Sequence, residues 1–197
     1  MGRPQRRPSQ ELNMNPDELA ELIASRRSNI FIDAESVVSD TQIDQLATAA
    51  QWAPNHKRTW PLRIAVVRGD SRRTLGGVIA DAMASRGDDE AKVLKTRTKY
   101  LRAPVVFVVA SAVGESANET EENKYAVAAG IQNLLLTAEA MQLAALWSSP
   151  AKGANDAITS LCNMDNTDLV LGLFYVGDAN KDAPAATRPP VRVTFLN

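Results

Sequence analysis

The sequence predicts an α+β domain with helices clustered around one sheet. Three observations predict it. Two continuous apolar runs, 104–112 and 169–177, read as strands covered on both faces. The stretch 122–142 places Tyr125, Val127, Ala128, Ile131, Leu134, Leu135, Ala138 and Met141 on more than one helical stripe. Such a helix must be buried on most sides, in a core or against another subunit. Finally, strands and helices do not alternate regularly along the chain, as a doubly wound sheet would require.

Each element follows from local chemistry. Residues 1–14 form a polar arm without periodicity, and 15–197 make one domain. Asn15-Pro16-Asp17-Glu18 combines a cap, a proline suited to the first helical turn and a reaching carboxylate, so a helix starts there. Leu19, Leu22 and Ile23 form its stripe, which ends near Ser25-Arg26-Arg27-Ser28. Ser39-Asp40-Thr41-Gln42 repeats the capping pattern; Ile43, Leu46, Ala47 and Ala50 are its buried face and Pro54 ends it. Residues 61–69 read as a strand closed by Gly69, with Asp70 capping a helix to about Ser85. A charged helix follows from about Asp89 to Tyr100. The acidic stretch 115–122 reads as a loop, 143–147 as a short strand and 152–162 as a helix. Residues 178–190 are rich in Pro, Ala and charge and form a linker, the start of a C-terminal arm over about 178–197. Val191–Leu196 alternates like a strand, which must pair somewhere, including on another chain's sheet.

Composition narrows the chemistry. The formal net charge of −1 gives no electrostatic case for nucleic acid or a membrane surface. The charge is uneven: 1–102 carries 17 Lys/Arg against 13 Asp/Glu, and 103–197 carries 5 against 10, so an anionic ligand suits the first half. No apolar run approaches the roughly 20 residues of a membrane span. The basic N-terminus lacks an apolar core behind it, so no secretory signal is expected. The single Cys162 cannot form an intramolecular disulfide and suits a reducing, cytoplasmic setting; at a helix end it reads as an inert thiol. One Cys and one His exclude a Cys/His zinc site, and no metal is expected. Gly76-Gly77 lies inside a helix, so there is no phosphate loop, and no Gly-x-Ser-x-Gly elbow is present. With so few acid and base groups, catalysis would need an imported reactive group.

One set of motifs resembles a known family. In order, they are Arg26-Arg27-Ser28, Ala53-Pro54-Asn55-His56-Lys57 with Pro61, and Leu101-Arg102-Ala103-Pro104, then Gly130–Leu136 in the long helix, Leu146-Trp147-Ser148-Ser149, and Gly172-Leu173-Phe174-Tyr175-Val176-Gly177. Together they resemble the nitroreductase family over about 16–195, and most of all its minimal bacterial members. The resemblance implies helices around a central, mostly antiparallel sheet, and a homodimer that exchanges its C-terminal strand. It also implies bound FMN, with NAD(P)H as the electron donor. The activity it implies is ping-pong reduction of nitroaromatics, quinones or similar electron-poor small molecules. No side chain is then a catalytic acid. The alternative is a non-catalytic FMN binder, or a flavin-free dimer of the same fold.

The resemblance also suggests site residues. Arg26, Arg27 and Ser28 offer two guanidinium forks and a hydroxyl to the FMN phosphate, or else are simply cations at a helix C-terminus. Lys99, with Arg97 as its alternative, would supply positive charge to the flavin ring. His56 would reach the cofactor across the dimer, and Trp52 would stack or pack nearby. Trp147, Ser148 and Ser149 match the strand and turn that approach the flavin. The chain departs from the family pattern at Ile30 and Phe31, at Trp60-Pro61-Leu62, at Gln142–Ala145 and at Ser148. Fewer cations there imply a different or weaker hold on the phosphate.

Overall fold

A computed structural model describes residues 15–196; the predicted arm 1–14 lies outside the described residues. Helices α1 (Pro16–Ser25), α2 (Asp40–Gln51), α3 (Ser71–Ser85), α4 (Glu90–Lys99), α5 (Ala117–Ala140) and α6 (Asn155–Leu161) surround four strands. The strands are β1 (Leu62–Arg68), β2 (Val105–Ser111), β3 (Ala144–Ser148) and β4 (Leu169–Gly177). They form one sheet in the order β1-β2-β4-β3, antiparallel throughout. The expected fold class is therefore what the chain adopts.

The core has two halves, one on each face of the sheet. Val105, Phe107 and Val109 of β2 point at Ile43, Leu46 and Ala50 of α2 and at Val127, Ile131 and Leu134 of α5. Val106, Val108 and Ala110 point the other way, at Leu75 and Ile79 of α3, Val93 of α4 and Ile158 of α6. Strand alternation thus turns an unbroken apolar run into two packed faces. The α2–α5 pair is drawn close at Gly130, where an added Cβ would lie 2.5 Å from Ala50 O.

Both capping boxes form as the sequence predicts. Asn15 accepts from Asp17 N and Glu18 reaches back to Asn15 N; Ser39 and Gln42 are paired likewise. Asp70 departs from expectation. Its backbone is already helical (φ −68, ψ −20) and its carboxylate makes no cap bond. Gly69, at φ +57, makes the turn instead. The acidic stretch 115–122 is also mostly helix, not loop, because Ser116 caps α5 by accepting from Glu119 N at 3.1 Å. Carboxylates in a first turn favour the positive end of the helix dipole, so acidity there does not mean a loop. Helix α6 starts at Asn155, later than 152, because Gly153 sits at φ +75.

Cys162 closes α6, and burial raises its thiol pKa to about 11, so it remains protonated near neutrality. The C-terminal arm bridges the body through Ile32–Ala179, and Asn180 N donates to Phe31 O. Beyond that, Val191, Val193, Phe195 and Leu196 are exposed, and among the described residues 191–196 pair with no strand of their own chain. No helix among the described residues is long and apolar enough to cross a membrane.

Candidate functional site

Two predicted residues meet at the end of β3. Lys99, the last residue of α4, donates from Nζ to Ser148 Oγ at 3.3 Å. Arg97 pairs instead with Asp81, at 2.7 Å. Two residues of a helix advance about 200° around the axis, so only one of the pair can face the sheet. Burial lowers the Lys99 pKa, and the nearby charges of Arg102 and Lys95 push in the same direction. Among the described residues no carboxylate lies within 4 Å of Lys99 or Arg102. This end of the sheet therefore holds cations without counter-ions.

Tyr175 of β4 lies beside them, a residue of the late Gly172–Gly177 motif to which the sequence gives no site role. It is opposite Leu146, is 0% exposed, and stacks on Tyr100 with ring centres 5.8 Å apart. The Arg102 guanidinium carbon sits 4.2 Å from its ring centre, a cation–π arrangement. Burial raises the phenol pKa to about 12, while Arg102 and Ser148 draw it partly back. Its hydroxyl is buried and meets no partner at full hydrogen-bond geometry, although Arg102 and Ser148 lie near it. A hydroxyl left this way costs about 1–3 kcal/mol. The signal in the sequence was a residue with a polar tip inside an otherwise apolar strand. Tyr175→Phe is expected to stabilise the ligand-free protein by about 1 kcal/mol, read as a melting temperature higher by a few degrees. A lower melting temperature would show that the hydroxyl is satisfied within the fold.

The Arg26–Ser28 segment lies along the outer edge of β3. After α1 the backbone becomes extended at Arg26 (φ −53, ψ 124). Ser28 forms a parallel bridge with Ala145, and Asn29 N donates to Ala145 O at 3.0 Å. Along a strand, Ala145 and Ser148 are about 10 Å apart. The two donor groups can therefore meet opposite ends of one elongated ligand. Arg27 folds back over the end of α1 and lines a cavity with Asn29, Gln142 and Ala144, its Nε buried without a partner among the described residues. Its Nη1 donates to the carbonyls of Ala24, Ser25 (3.1 Å) and Arg26 (3.0 Å), closing the end of α1. Arg26 is half-buried, and among the described residues no carboxylate lies within 4 Å of it.

The other predicted residues fall into separate groups. Trp147 lies on the opposite face of β3 from Ser148, tilted against Phe174 at 5.3 Å, with Nε1 donating to Leu171 O at 3.1 Å. Ser149 follows the strand and its carbonyl accepts from Ser148 Oγ at 3.4 Å. Trp52 closes α2 and is 82% exposed. His56 is exposed in the next loop, 4.0 Å from Glu122. Trp52 and His56 belong to the α2–α5 layer, whereas Lys99 belongs to the α3–α4 layer. Within one chain the sheet separates them.

Residues 23–178 match the pattern that defines the Nitroreductase family. The chain belongs to the nitroreductase family. The Escherichia coli protein named "Putative NAD(P)H nitroreductase YdjA" is 23% identical over 177 residues, covering 89% of this chain and 96% of that one. YfhC of Bacillus subtilis, named in the same way, is 24% identical over 180 residues, covering 90% and 92%. Among solved structures, a nitroreductase with bound FMN from Bacteroides fragilis superposes with a TM-score of 0.74 at 19% identity, covering 91% of this chain and 99% of that one. A nitroreductase-like protein from Bacillus cereus gives 0.72 at 26% identity, covering 87% and 91%. In this nitroreductase-family chain the end of β3 brings together Lys99, Arg102 and the buried phenol of Tyr175, with no carboxylate within 4 Å of either cation among the described residues.

Proposed function

We propose that this nitroreductase-family chain is an FMN-dependent oxidoreductase that uses NAD(P)H to reduce electron-poor small molecules such as nitroaromatics or quinones. One observation carries the reading: the Lys99–Ser148 pair beside the unsatisfied Tyr175 hydroxyl, about a strand segment away from Arg26 and Ser28. These residues fit FMN. Arg26 and Ser28 supply a guanidinium fork and a hydroxyl for a phosphate dianion, and among the described residues no carboxylate lies within 4 Å of Arg26. Lys99, held by Ser148, supplies positive charge for the electron-rich edge of a ring system. The Tyr175 hydroxyl lies behind this pair, close to Ser148 and Arg102, and keeps a polar atom at the floor of the site. Arg27 contributes by closing α1, which fixes where Arg26 leaves the helix.

When bound, FMN supplies the two-electron chemistry that the side chains of this chain lack. The protein's part is to hold, orient and exclude water. Ser148 fixes the Lys99 ammonium so that its charge is in place before a ligand arrives, which costs no reorganisation during turnover. Donor and acceptor use the same cleft in turn, in a ping-pong sequence.

A homodimer completes the site. The outer face of α5 exposes Tyr125 and Ala128, Trp52 at the end of α2 is also exposed, and the arm at about 178–197 carries exposed Val191, Val193 and Phe195. A second copy covers that face, exchanges the arm, and brings His56 and Trp52 to the partner's cleft. The reading treats 15–197 as one domain, working in the cytoplasm. The visible spectrum tests it. The purified protein is expected to be yellow, or to turn yellow with added FMN, and to bleach on anaerobic addition of NADH or NADPH. A colourless protein that takes up no FMN overturns the reading, and a yellow protein that does not bleach reduces it to flavin binding.

A further inference from the structure

The most strained part of the backbone is the loop between α2 and β1. Lys57, Arg58 and Trp60 have φ of 55, 57 and 50, left-handed values disfavoured for residues that carry a Cβ. Strain of this kind persists only where surrounding bonds fix it, and it gathers at ligand clamps and switches. Here the fixing bonds form a chain. Asn55 Oδ1 accepts from Trp60 N at 2.9 Å, and Asn55 Nδ2 donates to Thr59 Oγ1 at 3.0 Å. Thr59 Oγ1 in turn donates to Asn123 Oδ1 at 2.6 Å, and Asn123 Nδ2 donates to Ala112 O at 3.2 Å. Asn123 is 3% exposed within α5, so the loop is fastened to the interior of the domain.

What the fastened loop presents is charge. His56, Lys57 and Arg58 are consecutive and exposed. His56 has Glu122 at 4.0 Å, but among the described residues no carboxylate lies within 4 Å of Lys57 or Arg58. Two free cations on a strained, internally anchored turn are pre-arranged for a polyanion that arrives from solvent. The FMN phosphate is assigned to Arg26 and Ser28 at the β3 edge, so a second phosphate ligand remains to be met. We infer that the 55–60 loop is a preformed clamp for the pyrophosphate of the nicotinamide donor. Lys57 and Arg58 carry the charge, and Asn55, Thr59 and Asn123 hold the backbone in position. The inference rests on the oxidoreductase reading, in which this loop, carrying His56, lies at the mouth of the partner's site, so that the donor's nicotinamide enters there while its phosphates stay outside.

ADP-ribose, which has the donor's pyrophosphate without its nicotinamide, tests the clamp without turnover. It is titrated calorimetrically into the purified protein at low and high ionic strength. Binding that weakens with salt is expected. The K57A/R58A double variant should bind at least about tenfold more weakly, since it loses charge-assisted bonds. Thr59→Val should also bind more weakly, and Thr59→Ser should match wild type. In steady state, K57A/R58A should raise KM for NAD(P)H with kcat and flavin content held. Among the described residues neither the Lys57 nor the Arg58 side chain makes an ion pair within the chain, so their loss should leave the melting temperature unchanged. No binding of ADP-ribose to wild type, or equal affinity in K57A/R58A, overturns the clamp. A wild-type protein that binds ADP-ribose through these residues but neither holds FMN nor oxidises NAD(P)H would overturn the oxidoreductase reading and leave the clamp standing.

Discussion

Arg26→Ala is expected to weaken FMN retention by at least about tenfold, because it removes a charge-assisted bond to a phosphate worth about 1.5–3 kcal/mol. Flavin fluorescence during equilibrium dialysis reads the change directly. The weakening should be largest at low ionic strength, where exposed charges are least screened. The choice of control matters. Arg72 is unsuitable, because its guanidinium donates to Ala103 O at 2.5 Å and to Gly69 O at 3.0 Å, and losing those bonds would disturb the entry to β2. Arg73 is exposed, so Arg73→Ala isolates the effect of removing one positive charge. Arg27→Ala provides the opposite contrast. It should lower the melting temperature, because the carbonyls at the end of α1 lose their cap, and disturb flavin retention less than Arg26→Ala does. Equal flavin occupancy in Arg26→Ala and Arg73→Ala would take Arg26 out of the site.

A large effect on stability is expected at Gly130. A Cβ built there lies 2.5 Å from Ala50 O and 3.3 Å from Ala50 C, and both are backbone atoms that cannot swing aside. Gly130→Val must therefore push α2 away from α5. Overpacking of this kind costs about 3 kcal/mol. For a chain of this size that is a melting temperature lower by roughly 6–12 °C. The damage should extend to the site, because α2 leads directly into the 55–60 loop and Asn133 Nδ2 also holds Ala49 O, at 3.2 Å. A variant that melts within a couple of degrees of wild type would show that the two helices are not in close contact.

Much of this chain could be read from its sequence. Asn15 with Glu18, and Ser39 with Gln42, set helix starts because capping is decided by residues three or four apart. The run at 104–112 announced a strand covered on both faces, and β2 is buried at every residue. The order of motifs from Arg26 to Gly177 was enough to suggest the family. The misreadings were also local. Acidity at 115–122 suggested a loop where Ser116 in fact caps a helix, and Asp70 looked like a cap although its backbone is already helical.

Other features were settled only by packing. The choice of Lys99 over Arg97 depended on which side of α4 meets the end of β3, and that depends on how α4 lies against α3 and the sheet. Arg26 and Arg27 look equivalent in the sequence, but Arg27 folds its guanidinium back onto the carbonyls that end α1. The Tyr175 hydroxyl became conspicuous only when its neighbours were known, since a polar atom is unsatisfied only with respect to what surrounds it. Periodicity and capping act over a turn of helix or a pair of strand residues, so the sequence by itself determines elements and their inward faces. Which side chains converge across β3, β4 and α4 depends on register and layer packing between residues dozens of positions apart, and only the tertiary structure decides that.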